Sequence, residues 1–285
     1  MKNKRVLITG TNGFLAKEFR EYFSKNHSVI CASRTVPYFI DFTDRESVNK
    51  FFIENGYFDV VLHTAINGTK RHNINKIQIL VDNLLMFNNL MLNKNKFGTL
   101  FNFCSGAAFR KSPNADVSEA KEEDIFNYIP KEYYGLSKNI IARQIHEIDD
   151  VYNLRLFGCF GRYEENDRFI KNCLLKIKDK QKPVLVQDRY MDFIYVKDVC
   201  KIIEHLFNCR NSDIPKDINL VYPEKVRLTE IYNTIFSLTR WDDSYILEKD
   251  GINFSYTGSD QRLNNLNIQI GGLEAGIQEV IKYVF

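Results

Sequence analysis

No apolar run in this chain approaches the eighteen residues that a membrane-spanning helix needs, so no transmembrane anchor is expected. Runs of five like charges are also missing, and the net charge is only +3. That leaves no basic stripe for nucleic acid and none for an anionic membrane surface, while an anionic small molecule remains compatible. Paired cysteines are absent: Cys31, Cys104, Cys159, Cys173, Cys200 and Cys209 form no Cys-x-x-Cys and sit mostly in apolar runs, which reads as reduced, buried thiols. The histidines His27, His63, His72, His146 and His205 show neither His-x-x-x-His nor Glu-x-x-His, and no metal site is expected. Met1 to Arg5 run directly into an apolar strand without signal-peptide character, and a cytoplasmic protein is the expectation.

What is present is an ordinary globular balance, 44% hydrophobic and 26% charged, over 285 residues, enough for one large core or a domain with a smaller lobe. The stretch Val6-Leu7-Ile8-Thr9-Gly10-Thr11-Asn12-Gly13-Phe14-Leu15-Ala16 reads as a buried parallel strand, a glycine turn and a helix start. Gly10 and Gly13 permit backbone angles and close approaches that a side chain forbids, and free amides at a helix start face a pyrophosphate. Gly-x-x-Gly-x-x-Ala departs from the Gly-x-Gly-x-x-Gly dinucleotide fingerprint, and a plain tight βα turn is the competing reading.

A second strand, Ser28 to Ala32, ends in Ser33-Arg34. An acid about twenty residues past the glycines usually holds the ribose of NAD, whereas an arginine there suits the 2′-phosphate of NADP. Ser33 and Arg34 therefore favour NADP, unless Arg34 merely caps a loop. A short strand from Tyr38 to Ile40 leads to Asp41 and Phe42, placed near an adenine. Asp44 reads as the cap of a helix carrying Val48, Phe51, Phe52 and Ile53. Strand Asp59 to His63 opens into Thr64 and Ala65 at the edge where open α/β sheets bind ligands, with His63 read as structural.

From Ile74 to Lys94 a helical pattern puts Ile77, Leu80, Val81, Leu84, Leu85, Phe87, Leu90 and Met91 on one broad apolar face, core or dimer surface. Strand Thr99 to Cys104 delivers Ser105-Gly106-Ala107-Ala108-Phe109, and the polar stretch Arg110 to Pro130 reads as a loop over the site. Tyr134 and Lys138 then share a helix face at i and i+4, where an ammonium lowers a phenol's pKa, although Tyr-x-x-x-Lys by itself arises by chance on any helix.

Gly10-x-x-Gly13-x-x-Ala16, the strand-end Ser105 and Tyr134-x-x-x-Lys138, in that order, resemble the short-chain dehydrogenase/reductase superfamily. Asn153-Leu154-Arg155-Leu156-Phe157-Gly158-Cys159-Phe160-Gly161 and Asp192-Phe193-Ile194-Tyr195-Val196-Lys197-Asp198-Val199 resemble its extended branch, the NAD-dependent epimerase/dehydratase family acting on nucleotide sugars. Gly271-Gly272-Leu273-Glu274-Ala275-Gly276-Ile277 resembles the start of that branch's terminal helix, so nearly the whole chain is covered.

The resemblance implies an α/β fold with a Rossmann-type doubly wound parallel sheet over residues 1–157 plus about 193–220. A smaller C-terminal substrate-binding lobe would come from 158–192 and 221–285. It implies cofactor contacts from Gly10, Asn12, Gly13, Phe14, Leu15, Ser33, Arg34, Asp41, Phe42, Thr64, Ala65, Asn83, Tyr134, Lys138 and Phe157. Tyr134 would be the general acid or base at a sugar oxygen, Lys138 would hold the nicotinamide ribose, and Ser105 would bond the same sugar oxygen.

Departures from the branch's patterns narrow the activity. Ser105-Gly106-Ala107 lacks the carboxylates of the dehydratases. Ala107 replaces the cysteine of reductases that also epimerise C3 and C5, and no histidine lies between Tyr152 and Lys201. An NADPH-dependent reductase of a nucleotide-linked 4-keto-6-deoxy sugar is the expectation. An NAD-dependent nucleotide-sugar 4-epimerase is the alternative, and a non-catalytic NADP-binding regulatory protein the third reading. The arginine that usually grips the diphosphate is Met191 here, leaving Arg189, Arg168 and Lys171 as candidates. Trp241 and Tyr256 could stack on a base or simply pack. A homodimer through the long helix and the Tyr134 helix is expected by the resemblance.

Overall fold

The computed structural model describes residues 3–35, 38–68, 76–112 and 114–285; His72 and the expected helix start at Ile74 lie outside them. The first part of the chain runs β1 (Arg5–Thr9), α1 (Phe14–Phe23), β2 (Ser28–Ser33), β3 (Tyr38–Phe39), α2 (Arg45–Asn55), β4 (Phe58–His63), α3 (Ile77–Met91) and β5 (Phe97–Ser105). It continues with β6 (Val117–Ala120), α4 (Tyr133–Ile145), β7 (Val151–Leu156), β8 (Cys159–Phe160), α5 (Phe169–Lys178), β9 (Val184–Asp188), β10 (Ile194–Tyr195) and α6 (Val196–Leu206). The last elements are β11 (Asp217–Leu220), α7 (Leu228–Thr239), β12 (Ile246–Ile252), β13 (Tyr256–Gly258), α8 (Gln261–Asn264) and α9 (Leu273–Val284).

Seven parallel strands form the main sheet in the order β11-β7-β5-β4-β1-β2-β3, a doubly wound arrangement that reverses direction between β1 and β4. The unbroken apolar run of β1 follows from burial on both faces. Val6 and Ile8 pack into one layer with Phe19 and Phe103, and Leu7 packs into the opposite layer with Phe52, Val61 and Leu100. The first layer is continuous with Phe160, Leu174, Tyr232 and Ile277, so the C-terminal elements share one core with that face of the sheet. All six cysteines are free, and four of them are buried.

Local signals hold at several positions. Asp44 caps α2 by accepting from the Glu46 and Ser47 amides. Asp198 accepts from the amides of Gly271 and Gly272 and from the Tyr222 hydroxyl, which pins the start of α9. Burial divides the apolar residues of two helices. On α2, Ile53 is 75% exposed, because the sheet covers only the Val48, Phe51 and Phe52 side. The broad face of α3 divides: Ile79, Met86, Phe87 and Leu90 enter the core, while Ile77, Val81 and Leu85 form an exposed stripe at i, i+4 and i+8. The stretch after Arg110 is no plain loop, since β6 pairs in parallel with β13 and ties it to the C-terminal elements. Among the described residues, no helix is long and apolar enough to cross a membrane.

Candidate active site

The site is built at the carboxyl ends of β1, β4 and β5, on either side of the point where strand order reverses. Thr9 locks that point: its hydroxyl accepts from the Ala65 amide at 3.0 Å and lies 3.0 Å from His63 Nδ1, while Thr64 Oγ1 donates to the Thr9 carbonyl at 2.5 Å. Burial, aided by Lys138, lowers the His63 pKa to about 3, so the ring is neutral and structural.

Gly10 adopts φ +78°, and its amide donates to the Ala32 carbonyl. A Cβ there would stand 2.8 Å from Ala65 Cα, so the turn presses backbone against backbone at the switch point. Gly13 is the N-cap of α1, and no side chain caps that helix. Turn and uncapped helix start together fit a pyrophosphate. Gly10→Ala is expected to lower stability by about 1–3 kcal/mol and to weaken dinucleotide binding, read by thermal unfolding and cofactor titration; unaltered binding would take this turn out of the site.

At the end of β2, Ser33 Oγ lies 2.7 Å from Thr35 Oγ1, which accepts from Asn12 Nδ2 at 3.2 Å. Arg34 is exposed beside this chain of hydroxyls. The nearby Asp41 carboxylate is held by the Thr43 amide and hydroxyl, so it caps its own loop. Phe42, expected among the cofactor contacts, has its ring packed in the core, 3% exposed, and its carbonyl accepts from Asn89. Asn83 is likewise buried and fully engaged, accepting from the Asn67 amide and donating to the Asn67 carbonyl and Ser137 Oγ. It therefore clamps the loop after β4 to α4, which sets the height of Tyr134.

Ser105 ends β5 and accepts from the Ala107 amide at 3.2 Å. Helix α4 docks onto this turn through Gly135, where a Cβ would lie 2.6 Å from the Ala107 carbonyl oxygen. Tyr134, whose phenol is within electrostatic influence of Ser105, is thereby brought to the strand end. Burial pushes its phenol above the ordinary tyrosine value, with Ser105 and Arg168 opposing. This corrects the expectation that Lys138 depresses the tyrosine. The buried Lys138 ammonium donates to the Phe103 carbonyl at 2.5 Å, and burial lowers its pKa to about 8. Phe157 forms an apolar floor, lying against Gly106 and Gly258, where Cβ atoms would come 2.5 and 2.4 Å from its ring.

Of the three expected substrate cations, Arg168 stands within electrostatic reach of Tyr134, and Arg189 within reach of Tyr256. Lys171 is drawn elsewhere, donating to the Arg162 carbonyl at 2.6 Å and facing the buried Glu164. Trp241 packs against the large core. Sequence reasoning missed Arg110, whose guanidinium stacks 4.3 Å over the Tyr256 ring, and gave Tyr256 no place beside Ser105. Its hydroxyl is 3.4 Å from Ser105 Oγ. The β6–β13 pairing and the backbone of Tyr190–Asp192 bring it there, and nothing local in the sequence announces either.

The family model for the NAD dependent epimerase/dehydratase family matches residues 6–220. The chain belongs to that family. Membership of the family supports the enzyme class and the nicotinamide dinucleotide read from the sequence. Curated protein sequences give no match.

Solved structures of the same fold include a UDP-N-acetylglucosamine 4-epimerase from Methanobrevibacter ruminantium M1, 19% identical with a TM-score of 0.81, covering 99% of this chain and 98% of that one. A GDP-mannoheptose C4 reductase from Campylobacter jejuni with NADP bound is 16% identical, TM-score 0.81, with the same coverages. The Bordetella bronchiseptica enzyme WbmH in complex with NAD+ is 15% identical, TM-score 0.77, again covering 99% and 98%.

Proposed function

We propose that this family member is an NADPH-dependent reductase of a nucleotide-linked 4-keto-6-deoxy sugar. The observation that carries the reading is the end of β2, where exposed Arg34 flanks the Ser33, Thr35 and Asn12 hydrogen-bond chain while Asp41 Oδ1 is held within its own loop by Thr43. A cation and hydroxyls suit a 2′-phosphate better than a bare ribose. The phenol of Tyr134, kept protonated by burial, also suits a proton donor rather than a base.

The bound nicotinamide supplies the hydride. Gly10, Gly13 and the start of α1 would hold the pyrophosphate, and Lys138 would supply a cation for the nicotinamide ribose. Ser105 and Tyr134 meet the oxygen on C4; as that oxygen gains charge, Tyr134 gives it a proton. Arg168 and Arg189 grip the diphosphate from the elements of 158–192, which with 221–285 hold the nucleotide sugar. The exposed Ile77, Val81 and Leu85 stripe of α3 supports a homodimer.

The competing reading is an NAD-dependent 4-epimerase, supported by an equal structural likeness to the Methanobrevibacter ruminantium 4-epimerase. Titration with NADPH and NAD+, a search for co-purifying nucleotide, and NADPH oxidation with GDP-, dTDP- and UDP-linked 4-keto-6-deoxy hexoses separate the two. Preferential, exchangeable NADPH binding with ketone reduction is expected. Retained NAD with interconversion of UDP-sugar C4 epimers would replace the reductase by the epimerase.

A further inference from the structure

Tyr256 reaches the catalytic hydroxyls from far along the chain, and its position is built rather than incidental. Its amide donates to the Tyr190 carbonyl at 2.9 Å, and its carbonyl accepts from the Asp192 amide at 3.1 Å. The ring is held between Phe157, at 5.2 Å between centroids, and the Arg110 guanidinium. Gly106 leaves the space for it, since a Cβ there would lie 2.9 Å from Tyr256 Cζ. The hydroxyl ends 3.4 Å from Ser105 Oγ, at the outer edge of hydrogen-bond reach.

A serine hydroxyl carries one proton and two acceptor positions. The Ala107 amide fills one of Ser105's acceptor positions. We propose that the Tyr256 phenol donates into the other, so that the single Ser105 proton is committed to the sugar oxygen on the Tyr134 side. Tyr256 is then a positioning residue that acts through Ser105. If the serine instead donated to Tyr256, it would turn lone pairs toward an oxygen that gains negative charge. Arg110 over the ring face makes the phenol a stronger donor. The inference rests on Ser105 and Tyr134 handling the C4 oxygen, which is common to reduction and 4-epimerisation.

Two measurements test it on the full chain. With tyrosine carrying 13C at Cζ, the Tyr256 and Tyr134 signals are those lost in Tyr256→Phe and Tyr134→Phe. Ser105→Ala is expected to move both, and Tyr256→Phe to move that of Tyr134. A Tyr256 signal unmoved by Ser105→Ala, or a Tyr134 signal unmoved by Tyr256→Phe, overturns the inference.

In turnover with whichever nucleotide-sugar and cofactor pair above is active, Tyr256→Phe lowers kcat about tenfold, leaves KM within about twofold, and adds nothing in the Ser105→Ala background. No loss, a loss carried by KM, or an equal loss in both backgrounds overturns it. If no pair is turned over, the reductase and epimerase readings fail, and the resonance shifts decide this one alone.

Discussion

Tyr134→Phe is expected to lower kcat by about 10²–10⁴-fold while the dissociation constant for NADPH stays within about threefold. The reasoning is local: the variant keeps the ring against Gly68 and removes only the hydroxyl that meets Ser105. A proton donor is lost, and no other phenol stands at the same point of α4, because Tyr256 approaches Ser105 from β13. Single-turnover rates and cofactor titration on the same preparation read both numbers. A protein that merely senses NADP would show unchanged behaviour in every assay, so an unaltered rate overturns the enzyme reading of this tyrosine. The pH dependence adds a sign. Lys138 is lowered to about 8, so its ammonium is charged below that pH and neutral above it. The wild-type rate is expected to fall above about pH 8 as that charge is lost, whereas the Tyr134 phenol, raised by burial, keeps its proton across the range.

Asp217→Ala should cost about 3–5 kcal/mol of stability, seen as a melting temperature lower by roughly 6 °C or more. Asp217 and Arg155 are both fully buried, and their contact at 2.9 Å is the centre of a polar cluster between β7 and β11. Asp217 Oδ1 accepts from Arg155 and Asn153, Oδ2 accepts from His146, and Arg155 also donates to Asn219 at 2.9 Å. Removing the carboxylate leaves a guanidinium in the interior without its counter-charge, which is far costlier than removing a surface partner.

Burial alone would raise the Asp217 pKa, yet Arg155 and the His146 and Asn153 hydrogen bonds hold it below the usual carboxylate range. The contribution is therefore complete above about pH 4 and fades as the pH falls through the depressed folded value. A melting temperature unchanged by the substitution at neutral pH would show that the cluster is not what holds β7 to β11.

Much of the fold was legible because its determinants are local. Val6, Leu7 and Ile8 are apolar without alternation because both faces of a parallel strand are covered, and the glycines after them have steric reasons that any sequence reader can state. Asp44 announced α2, and Tyr134 with Lys138 announced a helix face bearing chemistry. What local sequence left open has a different character. Ile53, Ile77, Val81 and Leu85 fit apolar periodicity, but how much of a helix perimeter a sheet covers is set by neighbours and not by the helix itself. Asn83 and Phe42 stand where cofactor contacts were expected, and their partners, Asn67, Ser137 and Asn89, come from other segments.

The sequence by itself determined the strands and helices up to β5, the glycine turn and the family, and it singled out Ser105, Tyr134 and Lys138, because each depends on residues close in the chain or on a recognisable motif. Tertiary structure alone decided that Lys138 is held by the Phe103 carbonyl, that Lys171 turns to Arg162, and that Tyr256 and Arg110 stand beside Ser105. The physical reason is range. A side chain's charge, hydrogen bonds and exposure are fixed by whatever the fold brings within a few ångströms, and here those neighbours come from strands such as β6 and β13 that no local pattern pairs.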